Sequence, residues 1–271
     1  MSGEVDRRST DELVATYLAD GVVHPITVFP PDDCPPLLAA VRDVLTRPGP
    51  APAPSQEQSS GRLASVSGTQ SSVPFVESRH LDSRVVFDLC TAPPVLDLAR
   101  GILGDDLLLW RSTIIAKPPG GAGFRWHQDF GGVFGAHESY GLEPPLHLNV
   151  WMALTPTTRA NGCLRFVPGM PQVLPGAPSG PGQRATLLTR EEHIDESRAI
   201  DAPLAAGEAA VFGDRALHAS WPNETDEARL GLAVRITLPQ VRVRSHFPGH
   251  RNILISGRDA LGVNPLAPPP A

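Results

Sequence analysis

Leu13, Tyr17 and Leu18 recur at helical spacing behind Ser9 and Glu12 and ahead of Gly21. A capping box followed by a glycine stop predicts a helix over residues 9–20. A second apolar face (Leu37, Leu38, Val41, Val44, Leu45) opens at Asp33, Pro35 and Pro36 and stops before Pro48, which predicts a second helix. Within residues 81–103, VVFDL and PPVLDLARGIL keep helical spacing up to Gly104. Beyond Gly104 the period changes. LLLWRSTIIAK (107–117), LHLNVWMAL (146–154), CLRFV (163–167), EAAVFG (208–213) and LGLAVRITL (230–238) are short apolar or alternating runs, and Pro, Gly and Asn clusters separate them. Such runs predict an antiparallel sandwich or barrel. The chain is thus expected to be α+β and mainly β, with a helical part over about 1–104, a β core over about 105–240 and an extension over 241–271. The Pro-, Ser- and Gln-rich stretch 48–74 is expected to be a long loop. The residues before it are too few for a core of their own, so one domain is expected.

Composition narrows the function classes. The 271 residues are 41% hydrophobic, with 30 prolines and 25 glycines, which suits a turn-rich globular chain. A formal charge of −6 argues against a general nucleic-acid binder. No apolar run has the length of a membrane span, and the polar, acidic N-terminus is not expected to be a secretory signal. Cys34, Cys90 and Cys163 are odd in number and far apart. They are expected to be reduced thiols of a cytoplasmic protein rather than a disulfide scaffold. The expected partner is a small molecule, and the expected state a monomer or homodimer.

Candidate chemistry begins at Arg125-Trp126-His127-Gln128-Asp129, after a PPGGAG turn. In extended chain, residues two apart share a face, so His127 and Asp129 offer an imidazole and a carboxylate side by side. An isolated His-x-Asp is common, and its bland reading is a histidine bonded to its neighbour. His218, in GDRALHASWPN just after a strand-like run, supplies a third donor. Two histidines and a carboxylate on one face of an ion form the facial triad of non-haem Fe(II) oxygenases. Arg229 opens the last apolar run. A guanidinium projecting into a β barrel needs an anionic partner, which a dicarboxylate cosubstrate provides bidentately. Ser220, two residues past His218, can donate to the same carboxylate. Arg235 shares the parity of Arg229 and is the next candidate for its role. Thr113, Asn149 and Trp151 are placed to line the pocket, with ordinary strand packing as the alternative. Arg111 either faces the pocket or, as the preferred reading, faces solvent from its strand, and Gln128 is read as pointing away from the metal. His246-x-x-x-His250 encloses Pro and Gly and so shares no helix face. His137 reads as a loop residue, and Gly120-Gly121-x-Gly123 lacks the strand-to-helix context of a dinucleotide site.

The segments TIIAKPPGGAGFRWHQD, LNVWMALTPTTRANGCLRFVPGM and GEAAVFGDRALHASWPNETDEARLGLAVRITL together resemble the phytanoyl-CoA dioxygenase family over roughly residues 105–240. The resemblance implies a double-stranded β-helix (jelly-roll) core with packed N-terminal helices. It also implies an Fe(II)- and 2-oxoglutarate-dependent dioxygenase that consumes O2 and releases succinate and CO2. His127, Asp129 and His218 fall on the family's iron ligands, Arg229 on the arginine for the distal carboxylate of 2-oxoglutarate, and Ser220 on its hydroxyl helper. Asn161-Gly162-Cys163-Leu164 and Pro168-Gly169 match a turn and strand of the family, but the match ends in Gly169-Met170 where Gly-Ser-His is usual. Asp129 occupies the position that halogenating relatives replace with Ala or Gly, so a hydroxylase is expected. Loop 131–145 is the expected substrate lid, and a small free metabolite of bacterial specialised metabolism the expected substrate. A non-catalytic jelly-roll ligand-binding protein and a cupin-like metal enzyme without 2-oxoglutarate are the alternatives, and Arg229 and Ser220 together weigh against both.

Overall fold

Ser9 caps α1 (Thr10–Asp20) through the reciprocal contacts that its spacing from Glu12 implies, and Gly21 ends it in the left-handed conformation at φ 72°. Prolines in the first turn open α2 (Cys34–Leu45) and α4 (Pro93–Leu103), while the Ser83 hydroxyl caps α3 (Arg84–Cys90). The computed structural model describes residues 8–49, 75–129, 141–169, 174, 176–178, 185–189, 191–244 and 250–271. His137, His246 and nearly all of loop 48–74, with most of loop 131–145, lie outside the described residues.

The strands form two main antiparallel sheets. The larger contains β1 (Val22–Thr27), β2 (Phe75–Glu77), β3 (Leu107–Lys117), β6 (Leu148–Ala153), β11 (Glu208–Gly213), β13 (Arg229–Thr237) and β15 (Ile253–Ser256). Its order is β1-β11-β6-β13-β3-β15, with β2 also paired to β3. The smaller contains β4 (Phe124–His127), β7 (Leu164–Val167), β8 (Gly176–Pro178), β9 (Ala185–Thr189), β10 (Ile200–Ala202) and β12 (Leu217–Ser220), in the order β10-β7-β12-β4-β9-β8. β5 (Gly141–Glu143) and β14 (Arg242–Arg244) pair separately.

Two boundaries differ from the sequence expectation. The expected helical part contributes β1 and β2 to the large sheet, and the expected extension contributes β15. Pro25 sits within β1, where a break in the alternation and a register irregularity between Val23 and Ile26 hide the strand. An edge position tolerates a proline because the lost N–H faces no neighbour. β2 and β15 span only three and four residues, and both add to β3, at Thr113–Ile115 and Leu107–Leu109 respectively.

Alternation along the large sheet separates two environments. On β13, Leu230, Leu232, Val234 and Ile236 join Val41, Val86 and Leu98 of the helices in one apolar cluster. The intervening Arg229, Gly231, Ala233 and Arg235 face the smaller sheet. β6 divides likewise, with Leu148, Val150 and Met152 toward the helices and Trp151 and Ala153 between the sheets. Leu232 is fully buried among the helices, so Leu232→Ala is expected to cost about 2–5 kcal/mol of stability, read as a lowered midpoint in urea unfolding.

Candidate active site

The inner-face residues of the large sheet align in rows. Arg229 lies opposite Lys117, and Gly231 opposite Ile115 and Ala153. Ala233 lies opposite Thr113 and Trp151, and Arg235 opposite Arg111 and Asn149. Of these rows, Arg229, Ile115, the Ala233 row and the Arg235 row line a cavity of about 130 Å3. His127 and His218 close it from the smaller sheet, where they are direct cross-strand partners of β4 and β12. Their ring centroids are 4.1 Å apart. Asp129 lies just past the end of β4, and donor atoms of His127, Asp129 and His218 all fall within 4.8 Å of one another. All three residues are buried.

Backbone carbonyls orient both imidazoles. Nδ1 of His127 is 2.6 Å from the Arg125 carbonyl, and Nδ1 of His218 is 2.9 Å from that of Ala216. A carbonyl only accepts, so each Nδ1 carries the proton and each Nε2 keeps its lone pair, the state a metal ligand needs. Burial holds His127 down to about 3, with His218 adding to the effect. Burial lowers His218 as well. Both rings are therefore neutral at neutral pH. Burial alone would raise Asp129, but Arg235, 3.7 Å away, and the nearby histidines outweigh it and keep the group a carboxylate. A buried carboxylate with two neutral imidazoles fits a divalent ion of the first transition row.

Arg229 is 2% exposed. Its Nη2 donates to the Gly162 carbonyl at 3.0 Å, and its guanidinium lies 4.8 Å from the Trp151 ring centroid. Nε and Nη1 have no partner among the described residues. Such a cation is costly unless an anion joins it. Two glycines make the arrangement possible. A Cβ on Gly231 would fall 2.1 Å from the Trp151 ring, so the missing side chain is the space the indole fills. Gly162 takes φ +94° and would clash with the Trp221 carbonyl and Lys117 if it carried a Cβ.

Thr113, Asn149 and Trp151 line the cavity together with the triad and Arg229. Thr113 bonds Arg235 Nη1 at 3.4 Å, and Asn149 Nδ2 lies 3.3 Å from His147 Nε2. Ser220 is not among the described residues that line the cavity; its hydroxyl accepts from Nζ of Lys117, the cross-strand neighbour of Arg229, at 2.8 Å and from the Phe124 amide at 3.1 Å. Between His218 and Ser220 the pairing of β12 with β4 shifts register, and the extra residue lies on β4 between Phe124 and His127, so β12 keeps its own two-residue repeat. The Gln128 amide points away from the triad, donating to the Arg215 carbonyl and accepting from the Leu174 amide.

Arg111 is a correction. It is 7% exposed and lines the cavity rather than facing solvent, on the same face of β3 as Thr113 and Ile115, with which it is in regular register. It pairs with Glu77 of β2, which also lines the cavity. Lys117 escaped the sequence reading altogether. It is fully buried, and its Nζ donates to Ser220 and, at 2.5 Å, to the Trp221 carbonyl. Burial and the neighbouring Arg229 push its ammonium down to about 6. Its parity with Thr113 and Ile115 on one strand was the available signal.

Comparison with known proteins adds to this geometry. The family model for phytanoyl-CoA dioxygenase matches residues 17–231. An ectoine dioxygenase of Nocardia farcinica is 30% identical over 208 residues, 70% of this chain and 68% of that protein. The dioxygenase lolE1 of Epichloe uncinata is 28% identical over 169 residues, 61% of this chain, and the match spans 60% of that relative's length. Among solved structures, the apo form of the non-heme monooxygenase ThoJ superposes with a TM-score of 0.68 at 26% identity, covering 95% of this chain and 87% of that one. CytC3 with Fe(II) and alpha-ketoglutarate has a TM-score of 0.71 at 24% identity, covering 94% and 92%, a likeness of fold. With four-fifths of its length matched by the family model and the triad assembled in one cavity, the chain belongs to the phytanoyl-CoA dioxygenase family.

Proposed function

We propose that this chain is an Fe(II)- and 2-oxoglutarate-dependent dioxygenase that hydroxylates a C–H bond of a small-molecule metabolite, built as one jelly-roll domain with packed helices. The strand orders support the jelly roll, since β3-β13-β6-β11 and β4-β12-β7-β10 interleave in chain order between the two facing sheets. The observation that carries the function is Arg229, a buried guanidinium with two unsatisfied nitrogens at the far end of a cavity closed by His127, Asp129 and His218. A protein that bound only a metal would have no use for that unsatisfied charge.

In this reading His127, Asp129 and His218 hold the iron through two neutral nitrogens and one carboxylate oxygen. When bound, the iron with 2-oxoglutarate and O2 supplies the oxidising power for C–H cleavage, with succinate and CO2 released. Arg229 takes the distal carboxylate of the cosubstrate, with Trp151 holding the guanidinium plane against its ring and Lys117 beneath. Ser220 anchors Lys117 and so acts on the carboxylate through it. Asp129 fills a metal position with a fixed anionic oxygen, which favours hydroxylation over halogenation. The apolar walls, Ile115, Phe124 and Phe212 among them, exclude water from the reacting centre.

Arg229→Ala is expected to weaken 2-oxoglutarate binding about 30- to 1000-fold, from loss of roughly 2–4 kcal/mol of charge-assisted contact, while Fe(II) stays bound. Anaerobic titration followed by the visible charge-transfer band measures it, and unchanged affinity would sink the assignment. Gly231→Ala is expected to weaken the same binding at least tenfold by displacing Trp151 from the Arg229 face. The control is Ala233→Gly, which adds no atom against the indole and should bind the cosubstrate normally.

Lys117 gives a pH signature. Neutral in the empty protein above about pH 6, it should regain its proton when an anion arrives beside Arg229, because the new negative charge offsets the guanidinium. Cosubstrate binding at about pH 8 should therefore take up a proton, and the uptake should vanish as the pH falls below 6, where Lys117 is already charged. Calorimetry in buffers of different ionisation enthalpy reads this directly, and a Lys117→Met variant should show no uptake at either pH.

A further inference from the structure

We propose that Arg165 is a positioning residue for the metal site and the cosubstrate corner, acting from the outer face of the smaller sheet through Trp126 and Trp221; this rests on the iron- and 2-oxoglutarate-dependent reading above. Alternation divides the smaller sheet as it does the larger. On β7, Leu164 and Phe166 belong with Trp151 and Phe212 to the apolar cluster between the sheets. Arg165 therefore faces outward, on the side where Trp126, Leu217 and Ala219 form a cluster of their own. Its guanidinium lies over two indole rings, 5.0 Å from the centroid of Trp126 and 3.9 Å from that of Trp221. Ala219, directly opposite Arg165 on β12, carries only a methyl, so the guanidinium can reach across β12 to Trp126 of β4. Asp201, opposite Arg165 on β10, joins the stack: it accepts from Trp221 Nε1 at 2.8 Å and lies 3.4 Å from Arg165 Nε.

Each indole leads to a different part of the site. Trp126 immediately precedes His127, where the extra residue of β4 interrupts the pairing with β12. Such a bulge bends its strand and leaves a residue unpaired, so the outer stack takes over part of the spacing of His127 from His218. Trp221 stands three residues past His218. Its amide donates to the Cys163 carbonyl, and its own carbonyl accepts from Lys117 Nζ at 2.5 Å. Next to it, the Gly162 carbonyl accepts from Arg229. A cation over two aromatic faces is attracted to both, and a flat guanidinium stacks on them as an ammonium does not. Arg165 thus ties the metal ligands and the Lys117–Arg229 corner to one outer layer.

The test uses the whole protein, anaerobic, with Co(II) as the probe. Removing a group that orients metal ligands typically costs about 10- to 100-fold in metal affinity. Arg165→Met keeps the stem and removes the plane and the charge. It should weaken Co(II) binding about tenfold, shift the visible d–d bands at saturating Co(II), and weaken 2-oxoglutarate binding to the Co(II) form. Trp126→Leu should weaken Co(II) binding too, and the double variant should bind no worse than the poorer single one, because both remove the same contact. Arg159→Ala strips an exposed guanidinium 4.1 Å from the Trp221 ring and should leave affinity and bands unchanged. A residue that only supported the sheet would lower the urea midpoint and leave the bands of the folded, saturated protein in place. That result, additive effects of Arg165→Met and Trp126→Leu, or an equal shift in Arg159→Ala overturns the proposal. Should Arg165→Met fail to fold, Arg165→Lys decides. It keeps the charge opposite Asp201 but not the plane, so shifted bands support the proposal and wild-type bands overturn it. Failure of the wild type to bind Co(II) would instead overturn the parent reading, so the two failures are distinguishable.

Discussion

A guanidinium sealed between two sheets, with two of its nitrogens unsatisfied, sets terms that its surroundings have to meet. Arg229 needs a flat aromatic surface, and Trp151 provides one only because Gly231 on the next strand leaves room for the indole. It needs at least one acceptor, and the Gly162 carbonyl supplies it from a turn whose backbone takes φ +94°. It also depresses its cross-strand neighbour Lys117, so that two basic side chains share one buried corner without two full charges. Each of these is a local sacrifice of ordinary strand packing. Together they keep a cation ready inside the protein, where binding an anion is worth far more than at the surface.

The same strand also supports the fold, and the period of two is what allows both. On β13 every second residue feeds the apolar layer under the helices, while the alternate ones build the cavity floor. The larger sheet can therefore be stabilised from its outer face and left polar on its inner face. This division explains why the triad comes mainly from the smaller sheet. His127 and His218 reach across from β4 and β12, where they pair directly, and backbone carbonyls two residues back hold both tautomers without recruiting further side chains.

Much of this was legible in the sequence, for reasons that also explain the misses. The capping box at Ser9, the glycine stops and the runs that became β3, β6, β7, β11 and β13 are local signals, and local signals survive reading one residue at a time. His127, Asp129, His218 and Arg229 could be picked out because their types make little sense as packing residues. β1 was hidden by Pro25, and β2 and β15 by their brevity; only their pairing with longer strands defines them. Arg111 shares the parity of Thr113, but its charge favoured solvent, and the partner that lets it be buried, Glu77, lies on β2, a strand too short to read. Ser220 keeps the parity of His218 on β12, yet its hydroxyl bonds Lys117 and it is not among the described residues that line the cavity. Parity therefore names a face, and the neighbouring side chains decide which residues on it reach the cavity.

The cations of the cavity are not equivalent, and the difference bears on the order in which ligands enter. Arg235 and Arg111 already face protein carboxylates, Asp129 and Glu77, so an arriving anion must share them. Arg229 has no acidic partner among the described residues and keeps two donors unsatisfied. The field of the empty cavity therefore draws the first anion toward Arg229, and a chelating metal at the triad reinforces that preference. That preference follows from which buried charges of the described cavity lining already face a protein carboxylate and which do not.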